Sequence, residues 1–482
     1  LEELGPTFIK IGQVLSTRPD AIPDWAVREL SKLQDDVAPL SYETVRQVVE
    51  SELGGSLESL FSEFATTPVA SASLGQVHRA VLPDGTPVAV KVQRPGIAAQ
   101  IERDLSVLHD LAELFDGRLG MARHLRLPRL LEQVAQSLRD ELVYTIEGRN
   151  AERISTVLKP ADMVRVPRVF WKLTTARVLT TDMFEARRLR DAADLPLEER
   201  SALASRLAGF VMRQVLIEGF FHADPHPGNL FVFPDGALGV VDWGMTGMLS
   251  RSMRASLGEI FISIVYQDPE RLADEICHLG LVDDEADLDR FRRDLGRALD
   301  RYFYLSRRDY PLGQVLQKIL ELSYEHHIQL PAEVPMLIKV MVTTEGTCMD
   351  LDPDYDLRTA FEPIVRELVG AKLEPGQVVR DVTNSLRMVN RMAADLPRQV
   401  TGILNRVESG RVVFRSENQA LQQSVMSLAL VMQRLAMAVV LAGLLVGGSL
   451  LYPANHSLGL TGLALGAGGA LLLLLGIGRR RF

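Results

Sequence analysis

The 482-residue sequence predicts an α+β fold of two lobes, with a helical extension ahead of it and an apolar helical hairpin behind it. Three observations carry this. Helical spacing over residues 1–65 gives way to alternating apolar and polar residues on both sides of Pro83-Asp84-Gly85. Helix periodicity then returns over Leu197 to Phe220 and prevails from Ser252 to about Val369. Finally, residues 435–478 contain no Asp, Glu, Lys or Arg. A chain this long exceeds one compact domain, and it contains no internal repeats.

In order along the chain, "DWAVRELSKLQ" and "SYETVRQVVESELG" place apolar residues at i, i+3, i+4 behind an Asp or Ser suited to an N-cap. "GQVHRAVLPDGTPVAVKVQRPG" reads as a β-hairpin with its glycine at the tight turn. Within it, the apolar neighbours of Lys91 would bury the stem and aim the ammonium inward, although a lone strand lysine is usually solvated. Just upstream, "VASASLGQVH" is a run of small residues that would let backbone N–H groups approach phosphates; an ordinary turn is the plainer reading. "DELVYTIEGRN" reads as one helix, on which Glu147 is a candidate partner for Lys91 and otherwise a solvated glutamate. "VRVPRVFWKLTTARVLTTDMF" reads as two further strands.

"HADPHPGNLFV" concentrates polar chemistry between apolar flanks. Asp224 is followed by Asn229 and then by Asp242 in "LGVVDWG", directly after a buried-looking strand. Phosphoryl transfer from ATP needs a carboxylate that orients or deprotonates the acceptor and hard oxygen ligands for magnesium, and these three residues supply them in kinase order. The rival is a metal pair from His222 and His226, which share a face only on a helix. Pro225 and Pro227 argue against a helix there, so His222 reads as a structural hydrogen-bonding residue.

Between Lys372 and Arg434 nine Lys or Arg stand against five Asp or Glu, with apolar residues at helical intervals. This reads as an interfacial helix for anionic phospholipid, or alternatively as a solvated bundle helix. Two apolar runs of near-spanning length then flank "PANHS", with Arg434 before and Arg479 to Arg481 after, which puts both ends on the cytoplasmic side. Gly443, Gly447, Gly462 and Gly466 have the spacing that allows close helix approach, though glycine is common in membrane helices anyway. A net charge of −9 argues against nucleic acid as a partner. Cys277 and Cys348 are too far apart for a metal pair and read as apolar filler. The chain begins at Leu1 inside a helical pattern, as a fragment would.

Together these motifs resemble the UbiB/AarF family of atypical protein-kinase-like proteins over nearly the whole length. The family's KxGQ signature matches Lys10, Gly12 and Gln13 in "FIKIGQVLSTRPD". The resemblance implies a bilobal protein-kinase-like fold, with a KxGQ extension over 1–65, an N-lobe over 66–182, a C-lobe over 183–370, basic juxtamembrane helices over 371–434 and a transmembrane helical hairpin over 435–478. It implies that the extension crosses the active site, excludes peptide-sized substrates and projects Lys10 and Gln13 into the nucleotide pocket. Ala70, Ser71, Ala72 and Ser73 match the alanine-rich loop, Lys91 the ATP-phosphate lysine and Glu147 its partner. Asp224 matches the catalytic aspartate, and Asn229 and Asp242 the metal ligands. Two departures stand out. The ExD motif reads Glu141-Leu142-Val143, so only Glu141 remains to meet Lys10. Trp243 replaces the usual phenylalanine and Ala223 the arginine that would receive an activation-loop phosphate.

The implied activity is that of a membrane-anchored, Mg2+-dependent ATPase or kinase serving isoprenoid quinone (ubiquinone) biosynthesis or lipid homeostasis. Its partners would be a quinone precursor or quinone-biosynthesis proteins, with a homodimer left open. The implied location is the bacterial inner membrane, catalytic domain in the cytoplasm. Two alternatives stay open: a small-molecule phosphotransferase of the aminoglycoside or choline kinase type, and a nucleotide-gated scaffold without chemistry.

Overall fold

The computed structural model describes residues 5–16, 29–30, 37–115, 127–283, 286–304, 311–357, 360 and 363–364. The segments 371–434 and 435–478, expected as juxtamembrane helices and membrane hairpin, lie outside the described residues. Among the described residues no helix is long and apolar enough to cross a membrane.

The first lobe is a five-stranded antiparallel sheet. Strands β1 (Glu63–Phe64), β2 (Ala70–Ser71), β3 (Gly75–Val81) and β4 (Pro87–Gln93) precede an edge strand, β6 (Val178–Asp182); β3 pairs with β1, β2 and β4, and β4 with β6. The β3–β4 turn forms as its residues dictate: Gly85 takes φ +86°, and the Asp84 carboxylate accepts the Thr86 N–H at 2.9 Å. Period-two alternation then sorts β4. Val88, Val90 and Val92 are fully buried and pack with Val45 and Val49 of the helix Tyr42–Leu53, while Ala89 and Lys91 face the opposite side.

Helices are numbered here α1 (Pro6–Ser16), α2 (Tyr42–Leu53), α3 (Ile97–Phe115), α4 (Leu127–Glu141) and α5 (Tyr144–Val157) in the first part of the chain. Ser41 caps α2 by accepting the Thr44 N–H, and Gly54 ends it with φ +70°. Helix α1 lies against α3 and α4, where Ile11 joins a cluster with Ile101, Leu105, Val134 and Leu138. A hydrogen bond from Thr7 to Asp104 fixes its start.

The second lobe is mainly helical: α6 (Leu197–Arg213), α7 (Arg251–Val265), α8 (Pro269–Leu279), α9 (Leu288–Tyr304), α10 (Leu312–Glu325) and α11 (Glu333–Leu351) enclose the largest apolar core. A four-stranded sheet carries the loops of interest, with β5 (Val164–Arg165) parallel to β10 (Leu238–Val240), then β9 (Leu230–Val232) and β7 (Arg187–Arg188) antiparallel. A further pair, β8 (Phe220–His222) with β11 (Thr246–Met248), brings His222 opposite Thr246.

Three expectations about local structure need correction. The helix expected across "DELVYTIEGRN" is broken at Leu142–Val143, because the chain there bonds to the sheet: the Leu142 carbonyl accepts from Gln93 and the Tyr144 N–H donates to the Ala176 carbonyl. The helix expected to run to Phe220 stops at Arg213, passes through a π-helical turn over Gln214–Glu218 and gives way to β8. The two strands expected near residue 170 do form, β5 in the sheet of the second lobe and β6 in that of the first. The long helical tract after Ser252 contains a short pair of strands, β12 (Leu281–Val282) and β13 (Ile328–Gln329). Of the two cysteines, Cys348 is buried and Cys277 half-buried.

Candidate active site

The face of β4 turned away from its valine core supplies the first functional side chain. Lys91 Nζ donates to Glu147 Oε2 of α5 at 2.8 Å and lies 3.7 Å from Asp242 Oδ1 and 5.2 Å from the centre of the Tyr144 ring. Burial pulls the ammonium down, but Asp242 and Glu147 outweigh it and hold Lys91 well above the ordinary lysine value. Removing one member of so enclosed a pair strands the other charge, a cost on the order of 3–5 kcal/mol.

Asp242 follows β10 and adopts φ +60°, a left-handed conformation that aspartate tolerates at a cost of about 1–3 kcal/mol. Lys91 chiefly, with Lys10, holds its carboxyl well below the usual carboxylate range. The next residue anchors the turn. Trp243 is buried, its indole N–H donates to the Val240 carbonyl, and its ring packs against His222 and Phe210. Asn150 Nδ2 donates to the Trp243 carbonyl at 3.0 Å. The larger ring thus fills an apolar slot.

A second ion pair joins the first. Lys10 Nζ of α1 donates to Glu141 Oε1 at 3.1 Å, both side chains being 13% exposed. Gly244 stands between the two pairs: a Cβ there would meet Asp242 Oδ1 at 3.3 Å and Glu141 Cγ at 3.8 Å.

The loop bearing Asp224 is tied to the Asp242 turn by its backbone. Val241 N–H donates to the Asn229 carbonyl at 3.0 Å, and Ala223 N–H to the Met245 carbonyl at 3.0 Å. Asn229 Nδ2 approaches the Asp224 carbonyl at 3.4 Å. His222 is the buried post of this arrangement. Its Nδ1 accepts the Asp224 N–H at 3.0 Å, so its proton sits on Nε2, which faces the Val241 carbonyl at 3.3 Å. Burial lowers its pKa and keeps it neutral. With both nitrogens engaged, His222 is not available for a metal pair with His226, whose own Nδ1 accepts the Gly228 N–H.

A cleft of about 470 Å³ lies between the lobes, and Lys10, Ala70, Ala72, Lys91, Glu141, Glu147, Asn229 and Asp242 all line it. Among the expected residues, several stand apart. Asp224 sits on the adjoining loop with its side chain 31% exposed. Gln13, half-buried on α1, is not among the lining residues. Ser71 and Ser73 turn away from the cleft: Ser71 Oγ accepts from Arg94, and Ser73 is fully buried, because alternate side chains of an extended segment point to opposite faces.

Three residues escaped the sequence reading. Arg94 pins the small-residue loop by donating to the Ala72 carbonyl, the Ala38 carbonyl and Ser71 Oγ. Buried Tyr144 lines the cleft, with burial raising its phenol above the ordinary range. Lys339 of α11 places Nζ 3.6 Å from Asp224 Oδ1. Contacts to backbone carbonyls, or between distant segments, leave no local pattern in a sequence.

An Asn side chain and a carboxylate sharing one cleft with a paired lysine form an oxygen-donor set of the kind hard divalent cations prefer when phosphates complete the shell.

Comparison with known proteins agrees with this architecture. Residues 32–276 match the ABC1 atypical kinase-like domain and residues 295–356 the UbiB helical domain. The protein "Probable protein kinase UbiB" of Xylella fastidiosa is 33% identical over 465 residues, covering 94% of this chain and 83% of its own. The protein of the same name from Xanthomonas campestris is 32% identical over 465 residues, with 94% and 84% covered. An uncharacterized protein of Synechocystis is 33% identical over 421 residues, with 86% and 72% covered. Among solved structures, a Mycobacterium tuberculosis protein in complex with erythromycin superposes with a TM-score of 0.51 at 23% identity, covering 75% of this chain and 92% of that one, which supports the shared fold. The chain therefore has a kinase-like fold and belongs to the UbiB family of atypical kinases.

Proposed function

We propose that this chain is a membrane-associated, Mg2+-dependent ATPase or small-molecule kinase that supports isoprenoid quinone biosynthesis. One observation carries the reading: Lys91 with its Glu147 partner, Asn229 and Asp242 line the same cleft, and the Asp224 loop is bonded to the turn that bears Asp242. The names of the relatives support the kinase class, and the family resemblance supports the link to ubiquinone. The basic segment and apolar hairpin of the sequence support a membrane location.

In this reading Lys91 offers its ammonium to the nucleotide phosphates, and Glu147 keeps it from swinging away. Asn229 and Asp242 would hold magnesium, which when bound neutralises charge on the phosphates. Asp224 orients the acceptor hydroxyl or water and takes its proton. Lys10 and Glu141 close one wall of the cleft, so the acceptor has to be small or extended.

The test is nucleotide turnover by the full chain in vesicles containing anionic phospholipid, with quinone-precursor mimics added singly. Asp224→Asn is expected to cut turnover by roughly 10²- to 10⁴-fold, the range of general acid–base catalysis, and Asp242→Ala to abolish Mg2+-nucleotide binding. Unchanged turnover in Asp224→Asn would overturn the assignment.

A further inference from the structure

We propose that Lys339 is a positioning residue for the reaction, acting through Asp224, so that the helical domain completes the active site. This rests on the function proposed above and extends it to a residue outside the segment that matches the kinase-like domain, residues 32–276.

The loop from His222 to Val232 contains no Lys or Arg. The cations near Asp224 come from elsewhere or are conditional: Lys339 Nζ stands 3.6 Å from Oδ1, and His226 Nε2 stands 4.0 Å from Oδ2. His226 is 47% exposed and charged only when protonated, whereas Lys339 stands on a regular helix, 26% exposed. Among the described residues, no hydrogen bond to the Asp224 carboxylate oxygens is made. The Asp224 carboxylate is thus held by the Lys339 ion pair and not by a hydrogen bond among the described residues, which restrains its side chain from one direction.

The helix is firmly seated. Val340 and Met341 beside Lys339 are buried, Cys348 packs its Sγ on the Ala204 carbonyl of α6, and buried Glu345 accepts the Leu312 and Gly313 N–H groups at the start of α10. Neighbouring turns anchored in the core leave the lysine little freedom except along its own side chain. A cation that restrains the carboxylate acts on the step in which that carboxylate orients the acceptor, so its weight falls on the chemical step rather than on nucleotide affinity.

The experiment uses the full chain in vesicles and compares Lys339→Met, which keeps the apolar stem, with Lys339→Arg, each alone and combined with Asp224→Asn. The expected result is a loss in kcat of about 10²-fold for Lys339→Met with KM for ATP within about threefold of the parent, and partial recovery in Lys339→Arg. Thermal melting should be close to that of the parent. In the Asp224→Asn background, Lys339→Met should cost little more, since residues acting as a unit are not additive. Parent-like turnover in Lys339→Met, a loss carried wholly by KM, or full additivity with Asp224→Asn would each overturn the proposal while leaving the function intact. Should Lys339→Met not fold, unimpaired turnover in Lys339→Gln overturns it equally. Absence of ATP turnover by the parent chain under every acceptor condition would overturn the proposed function, and this inference with it.

Discussion

Lys10 and Glu141 form an ion pair, 3.1 Å long and largely enclosed, that fastens α1 to the last residue of α4 at the wall of the cleft. Residue 143 is Val, so no second acid stands two residues on from Glu141. Glu141→Gln keeps the shape and removes the charge, leaving a partly buried ammonium with a weaker partner. Expected is faster proteolysis near α1 and a change in ATP turnover at unchanged magnesium requirement. Protection of α1 from protease equal to that of the parent chain would contradict this.

Gly75 has no room for a side chain. A Cβ would fall 2.3 Å from Tyr144 Oη and 2.6 Å from the Val92 carbonyl. Gly75→Ala must therefore push β3 from β4 beside Lys91, at a cost of about 1–3 kcal/mol. The expected outcome is a lower denaturation midpoint together with weaker nucleotide binding. Tyr144→Phe should relieve only part of it, since the Val92 carbonyl remains.

His78 makes stability depend on pH. Its Nδ1 donates to the Ala65 carbonyl at 2.8 Å and its Nε2 accepts from Gln76 at 2.7 Å, so it is neutral in the fold, and burial lowers its pKa below the ordinary 6.5. The unfolded chain then binds the proton more readily than the native one. Its stabilising contribution is complete above the unfolded value and is lost as pH falls below it, by at most about 1.4 kcal/mol per pH unit for one group. Melting curves from pH 7.5 to 5.5 should show this slope in the parent and a shallower one in His78→Gln. Equal slopes would exclude His78 as the source.

Local physics made part of this legible in the sequence. The hairpin around Gly85 could be read because alternation and turn chemistry agree there, and the Asp224, Asn229 and Asp242 series because its spacing needs particular residues in a particular order. The break at Leu142–Val143 was hidden, since "DELVYTIEGRN" carries helical spacing throughout and the interruption comes from bonds to Gln93 and Ala176. Ser71 and Ser73 were grouped with Ala70 and Ala72 by composition, whereas strand geometry divides them between two faces. Lys339 gave no signal because it reaches Asp224 only through the packing of α11.

The π-helical turn at Gln214–Glu218 has a consequence for evolution by insertion and deletion. It turns Gln214 inward, where Oε1 accepts the His222 N–H at 2.7 Å. A one-residue deletion there would restore regular α-helical winding. It would also swing the amide off the strand that leads into Asp224, so a smoother helix would come with a looser Asp224 loop.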